Sequence, residues 1–341
     1  MEKNNSPMYI SYSSSEAYAA HTGISMLSLM ENNRDAAEIN FFVLDLGMTD
    51  ESKQKIAGIC ERYHRSVKFM PVANDVIRGI LGEKIPEHYG SLATYARLCG
   101  AELYPDAHRI LFVDSDMIIR GSLASVYHAD LGDRIVAGVP SRGIFGAGSS
   151  INEEDNKIGT AHGFYINCGF LLVDLDNWKK ANFSETIRQV VDELSLFTFR
   201  DQTILNAALK EEYLCRLPCK YNYPMHANPS YLIGKWKHSC QQLSPEEIVE
   251  AAKDPVVIHY VGEQSRPWYK ENVSSMAKEY YKYKKMSPFR DVPLLSIFDT
   301  PKYKKLSFPQ KTFLRILFRL YQNPLGYPLY RINRRRIESQ K

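Results

Sequence analysis

"RILFVDSDMIIRG", residues 109–121, runs Ile, Leu, Phe and Val into two aspartates one residue apart, then returns to Met and two Ile. The apolar half predicts a buried strand. Like charges at the edge of a core repel each other and lose hydration, so Asp114 and Asp116 need a compensating partner. Side chains two apart on an extended chain share a face, which predicts that both carboxylates converge on one point. A hard divalent cation or a shared proton would relieve them there. The plainer alternative is a polar strand end with both acids solvated, because D-x-D alone is a short pattern. The buried strand and the turn expected at Arg120-Gly121 favour a site.

Outward from this stretch, strands alternate with helices. "MYISYS", "INFFVLDL", "VKFMPV", "RIVAGV", "CGFLLVDL" and "PVVIHYVG" read as strands. Helical spacing covers 16–32, 50–63 (opened by the cap-like Thr49), 91–103, 183–194 and 202–210. This order predicts an α/β fold with a mainly parallel sheet, whose ligands gather beyond the strand carboxyl ends. "SRGIFGAGSSINEEDNKIGT" (141–160) reads as a mobile loop beside that site. There are no repeats. No G-x-G-x-x-G follows the first strand and no P-loop appears, which counts against the common dinucleotide and NTP folds.

A third metal ligand is available in "PVVIHYVGEQSRPWYK", where His259 ends an apolar run and Gly262, Arg266 and Trp268 follow. An isolated strand histidine is commonly structural. Two carboxylates and an imidazole, completed by phosphate oxygens, nevertheless suit Mn²⁺, with Mg²⁺ as a possible substitute. Gly262 would let backbone approach a phosphate, and Arg266 would bind it through charge-assisted hydrogen bonds.

With these residues in view, the sequence resembles the retaining glycosyltransferases of family eight, of GT-A fold, which include glycogenin and bacterial lipopolysaccharide galactosyl- and glucosyltransferases. The resemblance runs from about Tyr9 to about Trp268. It rests on the ordered set "YSSSEAYAAHTGISMLSL", "FFVLDLGMTDESK", "TYARL", "LFVDSDMII", "YINCGFLLVDLDNWKK", "FRDQTILN" and "HYVGEQSRPW". It implies that Asp114, Asp116 and His259 hold a metal bridging the diphosphate of a nucleotide-sugar, with UDP-galactose or UDP-glucose as donor. It also implies that Arg97, Asn167 and Asp201 grip the donor sugar and that Gln202 lies beneath the anomeric carbon. Tyr18 and the small residues Ser13 and Ser15 of "YSSS" would form the nucleobase and ribose edge, with Ser115, Gly262 and Arg266 in the same donor-binding set. Each has a structural alternative; Asp201, for one, could cap a helix beginning at Gln202.

Two departures from the family pattern stand out. Ser15 replaces an acid that usually meets the base, though its hydroxyl can still donate and accept toward uracil. Pro140, Ser141 and Arg142 stand where an acid often reaches the sugar. Gln202 is a poor nucleophile, so front-face attack is expected, with Asp201 as the remaining nucleophile candidate.

The 341 residues, 44% hydrophobic and 24% charged, have ordinary globular composition. The net charge of +4 hides an asymmetry. From Met276 onward 16 Lys and Arg face 4 acids, a net +12, which leaves −8 for the body. Residues 1–275 are expected to form the GT-A catalytic domain and 276–341 a basic, aromatic extension. "FPQKTFLRILFRLYQN" (308–323) places Lys311, Arg315 and Arg319 on one stripe, and "RINRRR" follows. That pattern, with Tyr280, Tyr281 and Tyr283 among lysines, resembles an interfacial helix on anionic lipid. A helix packed on the body is the alternative, and nucleic acid is not expected as a partner. Six scattered cysteines show no C-x-x-C pair, the opening residues lack a signal-peptide apolar core, and no run is long enough to cross a bilayer. The expectation is a cytoplasmic protein with reduced thiols, peripherally attached to the inner face of the membrane and serving a glycan or glycolipid acceptor. A haloacid-dehalogenase-type phosphatase is the rival enzyme, although Ile118 occupies the place where that family wants Thr. A catalytically weak, membrane-associated binding partner is the rival outside catalysis.

Overall fold

Strand β4 (Arg109–Val113) lies at the centre of a seven-stranded sheet in a computed structural model. The structure describes residues 6–87, 91–140, 158, 164–195, 197–224, 245–272, 274 and 276–322. The sheet order is β3 (Ser66–Pro71), β2 (Ile39–Asp45), β1 (Met8–Ser14), β4, β7 (Ile166–Asp174), β6 (Val136–Pro140) and β8 (Leu214–Arg216). β1 to β4 are mutually parallel, with Ile10 opposite Leu111. β7 runs against β4 and β6, with Val113 opposite Phe170, so the sheet is mixed but mainly parallel, as expected.

The pleat divides β4 between two cores. Leu111 and Val113 join Ile10, Tyr12, Phe41 and Phe170 on one face; Ile110 and Phe112 join Leu44, Leu171, Val173 and Trp178 on the other. The first face carries α1 (Glu16–Glu31) and α2 (Asp50–Arg62). Thr49 caps α2 as its sequence predicts, its hydroxyl accepting the Ser52 N–H.

Two sequence expectations change. The stretch 109–121 is not one strand: the chain leaves the large sheet after Val113 and enters a second, three-stranded sheet as β5 (Met117–Ile119). There β10 (Val257–His259) pairs antiparallel with β5 and parallel with β9 (Tyr223–Pro224), placing His259 opposite Met117. Asp114 and Asp116 therefore meet at a turn between sheets, not along a pleat. The helix expected over 91–103 is a 3₁₀ segment at Ala93–Cys99, followed by one α turn at Gly100–Leu103. The helix at Asn74–Leu81 carried no sequence expectation. The loop expected at 141–160 lies outside the described residues, apart from residue 158.

The basic extension also begins differently. The helix Ala277–Met286 packs on α1 and its Tyr280 and Tyr283 are buried, so these two rings are core residues and cannot form an aromatic belt at an interface. Tyr280 Oη is 2.8 Å from His21 Nδ1, and Tyr283 Oη accepts from Asn32 Nδ2 at 2.7 Å. Phe289, Ile297, Phe298 and Tyr303 belong to the same core. Gly23 is where α1 meets this layer: a Cβ there would lie 2.5 Å from the Phe289 ring. Gly23→Ala should lower stability by about 1–3 kcal/mol through overpacking, and Phe289→Leu in the same chain should recover part of it. Urea unfolding of both variants measures this; equal stability of Gly23→Ala and wild type would mean that the interface is loose.

Candidate active site

The turn between sheets sets the site. The Asp114 N–H donates to the Gly169 carbonyl (2.8 Å), tying the turn to β7, and the Tyr260 N–H donates to the Asp116 carbonyl (2.9 Å), tying it to β10. His259 Nε2 lies 3.2 Å from Asp116 Oδ1 and 3.9 Å from Asp114 Oδ2. One donor atom from each of Asp114, Asp116 and His259 falls within 4.8 Å of the others, so a single cation could touch all three. Two hard carboxylates and one imidazole are a donor set that fits Mn²⁺. Gly169 makes the approach possible. A Cβ there would meet His259 Cε1 at 2.6 Å and Asp114 Oδ2 at 2.8 Å.

Guanidinium groups border the acids on both sides. Arg97 Nη2 is 2.6 Å from Asp114 Oδ1 and its Nε is 3.0 Å from Asp201 Oδ2, while its Nη1 donates to the Cys168 carbonyl. The 3₁₀ segment explains the grip. Residues three apart eclipse in that geometry, and Thr94 and Arg97 hold one oxygen each of Asp201, the Thr94 hydroxyl donating to Oδ1 at 3.0 Å. Burial opposes the charge on Arg97, but Asp114 and Asp201 outweigh it and hold the guanidinium protonated. Burial, reinforced by the charge of Asp114, lifts the Asp201 carboxyl above the usual range despite Arg97. Asp201 is the first residue of the helix Asp201–Ala208, preceded by Arg200 at φ +53°, so it is not the cap that its residue type allowed.

On the other side, Arg266 Nη2 is 3.6 Å from Asp116 Oδ2, and among the described residues its buried Nε has no partner. Burial works against ionisation of Asp116, but His259 and Arg266 prevail and keep its pKa low. The Arg266 guanidinium lies 5.6 Å from the Tyr18 ring centre and 5.5 Å from that of Trp268. Gly262 precedes it with φ +82°, a conformation that suits glycine. Asn167 Nδ2 donates to Gln202 Oε1 at 3.0 Å, and the Cys168 N–H donates to the same oxygen.

Of the residues singled out in the sequence, Asp114, Asp116, His259, Arg266, Arg97, Asp201, Asn167 and Gln202 are thus joined by short contacts. Tyr18 joins through Arg266. Ser115 faces inward instead: its hydroxyl donates to the Ser13 carbonyl at 3.1 Å and lies 2.8 Å from Thr22 Oγ1, fastening the turn to the end of β1. Ser15 stands at the cap position just before α1 and is partly buried, with no capping bond from its side chain. Sequence reasoning missed Thr94, Gly169, Asn222 and His21. The imidazole of His21 stacks on Trp268 at 3.7 Å and 14°. Its only sequence signal was its place in "YSSSEAYAAHTG".

A sequence profile described as glycosyl transferase family 8 matches residues 9–272. The chain belongs to that family. Its relatives include general stress protein A of Bacillus subtilis, 22% identical over 284 residues that span 81% of this chain and 92% of the relative. Lipopolysaccharide 1,2-glucosyltransferase of Escherichia coli K12 is 24% identical over 83% of this chain and 79% of its own. The crystal structure of galactosyltransferase LgtC with donor and acceptor sugar analogs is similar to this fold, with a TM-score of 0.63 and 24% identity over 82% of this chain and 96% of LgtC. The chain is therefore a glycosyltransferase with the family 8 GT-A fold, and the rival phosphatase reading falls away.

His21 gives the site wall a pH signature. Burial, with the Arg266 charge adding to it, pushes this imidazole down from 6.5 to about 3. Below pH 6.5 the unfolded chain takes up a proton that the folded chain refuses, so stability falls with pH down to about 3, by at most about 1.4 kcal/mol per unit. His21→Phe keeps a ring against Trp268 and cannot be protonated. Urea unfolding at a series of pH values should show a flatter acid limb for this variant; an unchanged slope would exclude His21 as its source.

Proposed function

We propose that this glycosyltransferase moves a hexose, galactose or glucose, from a nucleotide-diphosphate sugar of the UDP type to a cell-surface glycan or lipid-linked acceptor, with retention of configuration. The observation that carries the reading is the convergence of Asp114, Asp116 and His259 within reach of one ion, with Arg266 alongside. Those three would hold Mn²⁺, or Mg²⁺ in its place, which when bound neutralises charge growing on a diphosphate leaving group. Residues 1–275 supply this chemistry.

Each neighbouring side chain then has a task. Arg266, restrained by Tyr18 and Trp268, offers to a phosphate oxygen an Nε–H that has no partner among the described residues. Arg97, fixed by Asp114, Asp201 and the Cys168 carbonyl, and Asn167 orient the sugar. Asp201 has both oxygens engaged and is buried, which favours a positioning role over nucleophilic attack. The acceptor hydroxyl oxygen then bonds to the anomeric carbon as the bond to the diphosphate breaks on the same face, and its proton passes to the departing phosphate oxygen. Ser13, Ser15 and Tyr18 border the base and ribose, and Ser115 acts by holding the aspartate turn. The names of the E. coli and LgtC relatives support glucose or galactose as the transferred sugar.

Hydrolysis of UDP-galactose and UDP-glucose without acceptor tests the reading. Release of UDP should require Mn²⁺ or Mg²⁺ and fall at least about 100-fold in Asp116→Asn, whose carboxamide is a weaker ligand. Metal-independent turnover, or none with any nucleotide-sugar, would reject it, the second result favouring a binding partner.

The distal extension is proposed as the attachment to the inner face of the membrane. In the helix Phe308–Gln322, Leu314 packs on the core while Phe308, Phe313 and Ile316 are exposed beside Lys311 and Arg315. Arg319 and "RINRRR" lie outside the residues whose side chains are described. No described helix is long and apolar enough to cross a membrane. Because 277–303 is core, the informative truncation follows Leu306 and not Ser275. It should abolish sedimentation with phosphatidylglycerol vesicles, as should Phe313→Ser with Ile316→Ser; binding that persists in both would assign this helix elsewhere.

A further inference from the structure

Asn222 is buried at 3% exposure, just before β9, and belongs to none of the motifs that mark the site. Its side chain bridges Asn167 and His259 directly. Asn222 Nδ2 donates to Asn167 Oδ1 at 2.8 Å, and Asn222 Oδ1 lies 2.8 Å from His259 Nδ1. A row of amides thus runs from Gln202 through Asn167 and Asn222 to the imidazole of His259.

The polarity of that row is fixed at its far end by backbone groups that can only donate. The Cys168 N–H points at Gln202 Oε1 (3.2 Å), so the oxygen of that amide faces β7. Gln202 Oε1 also receives Asn167 Nδ2, and the Gly169 N–H reaches Asn167 Oδ1 at 3.0 Å, which fixes the second amide. Asn167 Oδ1 can only accept, so Asn222, which faces it at 2.8 Å, must turn its NH₂ that way and its carbonyl oxygen toward His259. A carbonyl oxygen only accepts. His259 Nδ1 therefore carries the hydrogen, and in the neutral ring the lone pair belongs to Nε2, the nitrogen facing Asp116 and Asp114.

We propose that Asn222 is a positioning residue that selects the Nδ1–H tautomer of His259, so that Nε2 is presented as a cation ligand, and that it does so by carrying the polarity set by the Cys168 and Gly169 amides. The inference rests on the metal reading given above. It has a second consequence at Gln202. With Oε1 taken by two donors, the group that Gln202 can offer a sugar is its Nε2–H₂, a hydrogen-bond donor and not a nucleophile or base.

Two variants separate the links. Asn222→Ala removes both bonds; Asn222→Asp keeps an acceptor for His259 Nδ1–H but loses the NH₂ that reaches Asn167. In the full-length chain, ¹⁵N spectra of labelled histidine without metal should show protonated Nδ1 and lone-pair Nε2 for His259 in wild type and Asn222→Asp, and a mixed or reversed tautomer in Asn222→Ala. Titration with Mn²⁺ alone should show affinity about 10–100-fold weaker in Asn222→Ala, with Asn222→Asp closer to wild type. An Nε2–H tautomer in wild type overturns the proposal, as does an Asn222→Ala chain whose tautomer and Mn²⁺ affinity are unchanged. If wild type binds Mn²⁺ no better than Asp116→Asn, the metal reading fails and takes this role with it, even with the tautomer as expected.

Discussion

Charge compensation at the end of β4 governs the site. Asp114, Asp116 and Asp201 are gathered there against two guanidiniums, Arg97 and Arg266, with the His259 ring between them. The three carboxylates, when ionised, outnumber the two guanidiniums by one negative charge. Such a cluster is costly to bury unless every charge is paired, and the fold spends several elements on that pairing. The 3₁₀ segment brings Arg97, β7 approaches without a side chain at Gly169, and β10 delivers His259. In the proposed reaction, a divalent cation would turn the balance to one positive charge, the sign that a diphosphate requires. The same arrangement explains why Asp201 is held and not presented: its carboxylate keeps Arg97 charged and aimed.

Much of this was legible in the chain. Strand residues 109–113, the cap at Thr49 and the pairing of Asp114 with Asp116 follow from local apolar pattern and residue chemistry. The ordered motifs carried His259, Arg97, Asn167 and Gln202 to one place. What stayed hidden depended on neighbours distant in sequence. A run of apolar residues cannot show that it crosses from one sheet to another, so the aspartates were expected along a pleat. Periodicity does not separate a 3₁₀ from an α segment when the deciding contact, Asp201, lies 107 positions beyond Thr94. The tyrosines at 280 and 283 look like interface residues among lysines, and only their fit against α1 shows otherwise.

The amide row from Gln202 to His259 belongs to the same class. Its three carboxamide side chains carry no charge to mark them in the sequence. Its information is directional, and direction comes from two backbone N–H groups on β7. Sheet geometry and ring chemistry are linked through three carboxamides, a dependence that residue identity alone does not reveal.

The contact between His21 and Tyr280 spans 259 positions, and through Trp268 it forms one wall around Arg266. A chain still on the ribosome has made α1 long before the helix that covers it exists. Until residues 277–286 have emerged, the outer face of α1 remains wet and the wall lacks its backing. Premature termination between β8 and that helix would yield a product with all seven strands of its large sheet made and no finished pocket, a natural client for chaperones and proteases.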